Sequence, residues 1–341
     1  MKKPLALLIL FCTLGIFAQT SVEKPSKCGS QKVEQLLEKL SITSNELELK
    51  VLCHKLFHEG KKDAEKQAFN RELLKKFEAV LSEPGSFENY QFDSLKNDIG
   101  ILTSPDGKFR IIHWNVPAED GSQEYFGFLQ EHFSETIKHG FFKRSRIDSM
   151  QLYPLIDKSA EIKNPENAIT DNKKWFGLLY NRIIIKKVKS KTYYTLLGWD
   201  GNDKFSQKKV IDVLTFDNKG VPHFGADIFS YQKKYPKRII FEYSATCNMS
   251  LRYSSKKDSI VFGHLAPIQP KLEGQYQYYC SDMSFDGFGF KKGKWNYGMD
   301  VNAVNERDEN DKFYRDPHDR TTTNNQSNKV VDRKKKKKKA Q

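Results

Sequence analysis

Four consecutive pieces decide the fold: Ile99-Gly-Ile-Leu-Thr103, Ser104-Pro-Asp-Gly107, Phe109-Arg-Ile-Ile-His-Trp-Asn-Val116 and Ala118-Glu-Asp-Gly121. The first and third are short apolar runs rich in β-branched and aromatic residues. The second and fourth carry turn chemistry. A connection that short joins neighbouring antiparallel strands, because a parallel pair needs a long crossover. Tyr125 to Gln130 predicts a third strand of the same kind.

The pattern continues outward. Strands are predicted at Trp175–Val188, Thr192–Trp199, Val210–Phe216, Ile239–Tyr243, Met249–Tyr253, Ser259–Leu265, Tyr276–Tyr279 and Phe288–Phe290. Asp217-Asn-Lys-Gly220 and Lys291-Lys-Gly293 supply further turns. Helical patterns do not alternate with these strands, which argues against a parallel α/β sheet. Residues 143–174 read as a polar, irregular loop or insertion. Upstream, residues 27–84 read as helices. Val33, Leu36, Leu37 and Leu40 recur at helical spacing, Ser30 is placed to cap, and Gly60 and Pro84-Gly85 are stop signals. The expectation is a mainly β protein with an N-terminal helical segment (α+β), its β-rich domain over 92–304 an antiparallel sheet or β-sandwich. A propeller-like β-meander is the alternative, since Ser104-Pro-Asp-Gly107 also suits a propeller blade turn.

The ends read differently. Lys2 and Lys3 precede an apolar run from Leu5 to Phe17, and Ala18 precedes polar sequence. This is the pattern of a secretory signal peptide over 1–18. The run is shorter than the roughly 20 residues of a membrane span, so the mature chain is expected without a transmembrane segment. Export places it in the periplasm, on the outer surface or outside the cell. After Asn305 apolar residues nearly vanish, so 305–341 is expected to be a disordered polar tail. Lys329 and the run Arg333 to Lys339 supply eight positive charges and Asp332 removes one. The last 13 residues thus hold half of the net charge of +14. Such a run suits polyanions through counterion release, or is simply a solvated tail. Export argues against a nucleic-acid partner.

Chemistry is sparse. Beyond the leader the cysteines are Cys28, Cys53, Cys247 and Cys280. An even number in an exported chain suggests disulfides, and three pairings are possible. Cys28–Cys53 with Cys247–Cys280 keeps each loop within one composition region and is favoured; four free thiols are the alternative. His54 and His58 share a helix face but lack a third ligand, so no metal is expected. No cofactor motif is present: there is neither a P-loop nor a dinucleotide-binding glycine fingerprint. No Gly-x-Ser-x-Gly elbow occurs, and no catalytic residue is assigned. The candidate site is the Gly198-Trp-Asp-Gly-Asn-Asp203 turn. There Trp199 could stack on a sugar or peptide while Asp200 or Asp203 accepts hydrogen bonds. Trp114, Trp175, Trp295, Tyr193, Tyr194, Tyr276, Tyr278 and Tyr279 are further aromatic candidates, for a binding face or for the core.

Two stretches carry a resemblance. One runs from Phe92-Asp-Ser-Leu95 through the Ser104 turn to Tyr125-Phe-Gly-Phe128. The other combines Tyr193 to Asp203, Ile211-Asp-Val-Leu-Thr-Phe216, Phe224-Gly225 and Asp286-Gly-Phe-Gly-Phe-Lys-Lys-Gly-Lys-Trp295. Together they resemble a family of uncharacterised exported bacterial proteins. The resemblance implies export and brings no activity or site residue. The expected function is an exported cell-envelope protein, a non-enzymatic binding or structural module for an envelope glycan or protein. A secreted glycan or peptide hydrolase using carboxylates near Asp200 is the alternative.

Overall fold

The computed structural model describes residues 27–139 and 143–299, with side chains described for 34–133 and 149–299. The expected signal peptide and polar tail lie outside the described residues.

The chain begins with α1 (Lys27–His54), which passes through one π turn to Gly60, followed by α2 (Asp63–Leu81) and the short α3 (Ser86–Asn89). Leu49, Leu52, Cys53 and Leu56 follow i, i+3, i+4, i+7 and are buried; in α2 Leu73, Phe77, Val80 and Leu81 follow i, i+4, i+7, i+8 and are buried too. Both stripes pack on one face of the first sheet, against Ile112, Trp114, Val116 and Phe128. Ser30 falls inside the first turns of α1 and not at its start.

That sheet is an antiparallel meander of β1 (Gly100–Thr103), β2 (Phe109–Pro117), β3 (Gln123–His139) and β4 (Lys143–Ile156). The Ser104 turn joins β1 to β2 as expected. Ser104 Oγ accepts from the amides of Lys108 (3.0 Å) and Phe109 (3.1 Å), and Gly107 supplies the positive φ of 69°. Side chains alternate across β2. Ile112 and Trp114 meet the helices, while Phe109 and Ile111 meet the second sheet. The β4 strand corrects the expected loop over 143–174. Fourteen register pairs run from Phe126↔Ile156 to His139↔Lys143, so backbone pairing with a long neighbour makes a strand of sequence too polar to read as one.

The second sheet contains β5 (Thr170–Asp171), β6 (Leu179–Val188), β7 (Lys191–Asp200), β8 (Ser206–Phe216) and β9 (Pro222–Phe224) in the order β5-β9-β8-β7-β6. After β10 (Phe229–Ser230), β11 (Ile239–Ser244) also pairs with β8. The third sheet is β10, then β15 (Lys294–Gly298), β14 (Tyr279–Lys291), β13 (Ser259–Pro267) and β12 (Leu251–Ser254). Leu196, Val210 and Leu214 face the first sheet; Leu197, Ile211 and Val213 face Phe262, Phe288 and Trp295 of the third. The central sheet is therefore apolar on both faces. The result is a stack of helices and three mainly antiparallel sheets, with no closed barrel or propeller among the described residues. Tyr276–Tyr278, expected as strand, forms a 3-10 turn before β14.

Cys247 and Cys280 are bridged, with Cα atoms 5.6 Å apart. The expected Cys28–Cys53 bridge is not formed: Cys53 is a free, buried thiol. One continuous helix carries both positions. At 1.5 Å rise per residue they sit about 37 Å apart, while a disulfide holds Cα atoms within about 7 Å. Burial pushes the Cys53 thiol up to about 12, so it stays protonated and unreactive.

Candidate binding cleft

A cleft of about 1000 Å³ opens where the three sheets meet. Gln123 and Tyr125 at the start of β3 form one wall, and the turn from Asp157 to Glu166 extends it. Asp200, Asn202 and Lys208, from the β7–β8 connection, form the second wall with Phe241 and Glu242 of β11. Tyr231, Lys234, Tyr276 and Tyr279 close the third side. The rings of Tyr276 and Tyr279 lie 5.2 Å apart, and Tyr276 is half exposed.

Asp200 ends β7 and is buried. Its Oδ1 accepts from the Tyr125 hydroxyl (2.8 Å) and the Asn202 amide (2.7 Å), and its Oδ2 lies 3.6 Å from Lys208 Nζ. The Tyr125 hydroxyl accepts in turn from the Gly201 amide at 2.7 Å. Burial raises the Asp200 carboxyl above the usual carboxylate range, against the pull of Lys208 and the two donors. Burial and the Asp200 charge likewise push the Tyr125 hydroxyl up. Asn202 takes a left-handed φ of 48°, which Asn tolerates. From there Lys208 donates to Asn202 (2.5 Å), Asn202 to Ser206 (2.7 Å) and Ser206 to Glu242 (2.6 Å). The turn is thus fixed by side-chain bonds on both of its strands.

The three predicted residues have separate positions. Asp200 lines the cleft. Asp203 is exposed on the turn, where its Oδ1 accepts from the Phe205 (2.7 Å) and Ser206 (2.9 Å) amides. Trp199 is half-buried on the opposite face of β7 from Asp200, because neighbours in a strand alternate. Its indole donates to Gln207 at 3.1 Å. The exposed aromatic of this turn is Phe205, at 67%. With Ile268 and Tyr278 it lines a second hollow of about 420 Å³ beside the Cys280 end of the disulfide. An apolar residue inside a Gly-Asn-Asp-Lys turn was the available signal for Phe205. Glu166, Tyr231 and Glu242 come from segments far apart in sequence and had no local signal. Trp114, Trp175 and Trp295 are fully buried and belong to the core.

Several polar groups of the cleft are already engaged within the protein. Asp157 is spent on the turn: Oδ1 accepts from Ser159 N (2.9 Å) and Oγ (2.6 Å), and Oδ2 from Tyr125 N (3.1 Å). The Cys247 and Cys280 thiols are consumed in their bridge. Among the described residues no group of three or more His, Cys, Asp or Glu side chains could hold a metal ion, and no helix is long and apolar enough to cross a membrane. The His54 and His58 rings lie 5.0 Å apart, tilted 40° to one another. No family model, curated protein or solved structure matches this chain.

Proposed function

We propose that the protein is an exported module of the bacterial cell envelope that binds a glycan or an extended protein segment in the three-sheet cleft, without catalysing a reaction. One observation carries this reading. The cleft is large enough for an oligomeric ligand and offers tyrosine rings beside hydrogen-bonding groups, while its two aspartates already accept several protein hydrogen bonds each. Rings supply flat apolar area with a polar tip, the combination that suits sugar faces and peptide backbones. The lysine run at 333–339 would add salt-dependent affinity for anionic envelope polymers.

The hydrolase reading has one observation in its favour, the raised Asp200 carboxyl inside a cleft. A glycosidase needs a second carboxyl free to act as nucleophile or base; Asp157 is engaged by three donors and Glu242 accepts from Ser206, which leaves Glu166 as the partner this reading would need. Calorimetric titration with oligosaccharides and peptides released from envelope preparations tests both readings. Saturable binding without product release supports the proposal, and Tyr276→Ala should weaken it about tenfold, the loss of roughly one ring contact. Accumulation of cleaved ligand, abolished by Asp200→Asn, would establish the hydrolase instead.

A further inference from the structure

α1 has two apolar faces, and the fold uses one of them. Leu49, Leu52, Cys53 and Leu56 turn inward. On the other side Leu36, Leu37, Leu40, Leu47 and Val51 remain in solvent, Leu40 65% and Leu47 64% exposed. Scattered exposed leucines are ordinary, whereas a contiguous row of five on one helix face marks an interaction surface. Leu37, Leu40, Ser44, Leu47 and Val51 follow one another at alternating steps of three and four. That is a heptad seam with a period of 3.5, the spacing that meshes with another helix.

We propose that this seam pairs antiparallel with α1 of a second copy of the chain, about a two-fold axis passing between Asn45 and Glu46. The central part of the seam, from Leu40 to Val51, is self-complementary when reversed, as an isologous contact requires, and Leu37 falls opposite His54. Leu40 of one copy then meets Val51 of the other, Ser44 meets Leu47, and both layers recur across the axis. The same register sets Glu34 opposite Lys55, whereas a parallel arrangement sets Lys50 beside Lys55. The body of each copy packs on the inner face of α1, leaving the outer face open.

The area suits a reversible dimer. A leucine side chain carries on the order of 100 Å² of apolar surface, judged from its transfer free energy. Five such side chains, about half to two-thirds exposed, remove about 300 Å² per copy. Flanking polar residues bring the pair to about 1,000 Å², the lower edge of specific interfaces. The helix is already held by its inner face and loses no helical order on pairing, which offsets the small area. Dissociation in the micromolar range follows.

Sedimentation velocity on the full exported chain, from about 1 to 100 μM, is the test. The wild type should pass from monomer to dimer across this range. Leu40→Glu with Leu47→Glu should stay monomeric with an unchanged melting temperature. Ser44→Leu fills two polar layers and should tighten the dimer about tenfold; it decides the matter should the charged variant misfold. A wild type and Ser44→Leu protein both monomeric at the highest concentration would overturn the proposal. So would a dimer that survives in a folded charged variant. A monomer that instead floats with lipid vesicles through these leucines would assign the face to a membrane and equally overturn it.

Discussion

Arg238 and Asp212 form an ion pair whose side chains are both fully buried, with Nε 3.0 Å from Oδ2. Nε is poorly aligned for a hydrogen bond and Nη2 has no partner, so charge rather than geometry holds the pair. Nη1 donates to the Pro165 carbonyl at 2.7 Å, and the guanidinium lies 5.1 Å from the Phe176 ring centre. Pro165 and Phe176 both line the cleft, so this arginine supports its floor. Arg238→Met leaves the Asp212 carboxylate buried with the Val213 amide at 2.8 Å and the Tyr180 hydroxyl at 3.4 Å. Losing one member of a buried pair costs about 3–5 kcal/mol, a large part of the roughly 5–15 kcal/mol stability of a typical domain. Removing both charges is different, because desolvation of the pair offsets most of its attraction. The double variant Arg238→Met with Asp212→Leu should therefore recover to within about 1–2 kcal/mol of wild type. Urea unfolding of the four proteins of this double-mutant cycle gives the coupling directly. A single variant within about 1 kcal/mol of wild type, or a double variant no better than the worse single one, would refute the reasoning.

Three further outcomes are expected. Replacing Cys247 and Cys280 together by Ser should cost about 3–4 kcal/mol in loop-closure entropy across their separation of 33 residues, and peptide mapping without reduction should recover the linked pair. Trp199→Ala should cost about 2 kcal/mol by thermal unfolding, roughly half of a core tryptophan truncation, because the ring is half-buried. The buried His113 ring, with Nδ1 unpartnered and Nε2 accepting from Tyr180 N at 3.2 Å, is pushed down to about 4 by burial. The unfolded chain then binds the extra proton between about pH 6.5 and 4, so the contribution of neutral His113 is whole above that window and is lost as pH falls through it. Glu131, pushed up to about 7 by burial, has the opposite sign: the folded chain holds its proton between about 4.5 and 7, so its contribution falls as pH rises. The difference between wild type and His113→Gln isolates the first effect, and parallel stability profiles for the two proteins would contradict it.

Local chemistry made most of the fold readable. Turn residues such as Ser104 to Gly107 and Asp217 to Gly220 bound strands that bury both faces, and apolar runs such as Val210 to Phe216 announced that burial. The hidden parts were set by partners far along the chain. β4 is a strand because β3 is long enough to pair with it, whatever its own polarity. The Cys28–Cys53 reading failed because composition marked a helical region without showing that one helix ran unbroken between them. At the site, the Trp199 to Asp203 turn was legible as a loop carrying function-capable side chains. Period-two alternation, applied to the same residues, already separates Trp199 from Asp200. The meeting of that turn with Tyr231 and Tyr276 depends on how the sheets stack, which no local pattern records.

Hydrogen exchange of the protein, with and without saturating envelope oligosaccharide, tests the proposed binding cleft most directly. Binding there should slow exchange together at 123–125, 157–166, 200–208, 231–242 and 276–279, segments distant in sequence that share one opening. The same segments should stay unprotected in Tyr276→Ala at the same ligand concentration. Protection confined to another face, or undiminished in that variant, would contradict the cleft as the binding site.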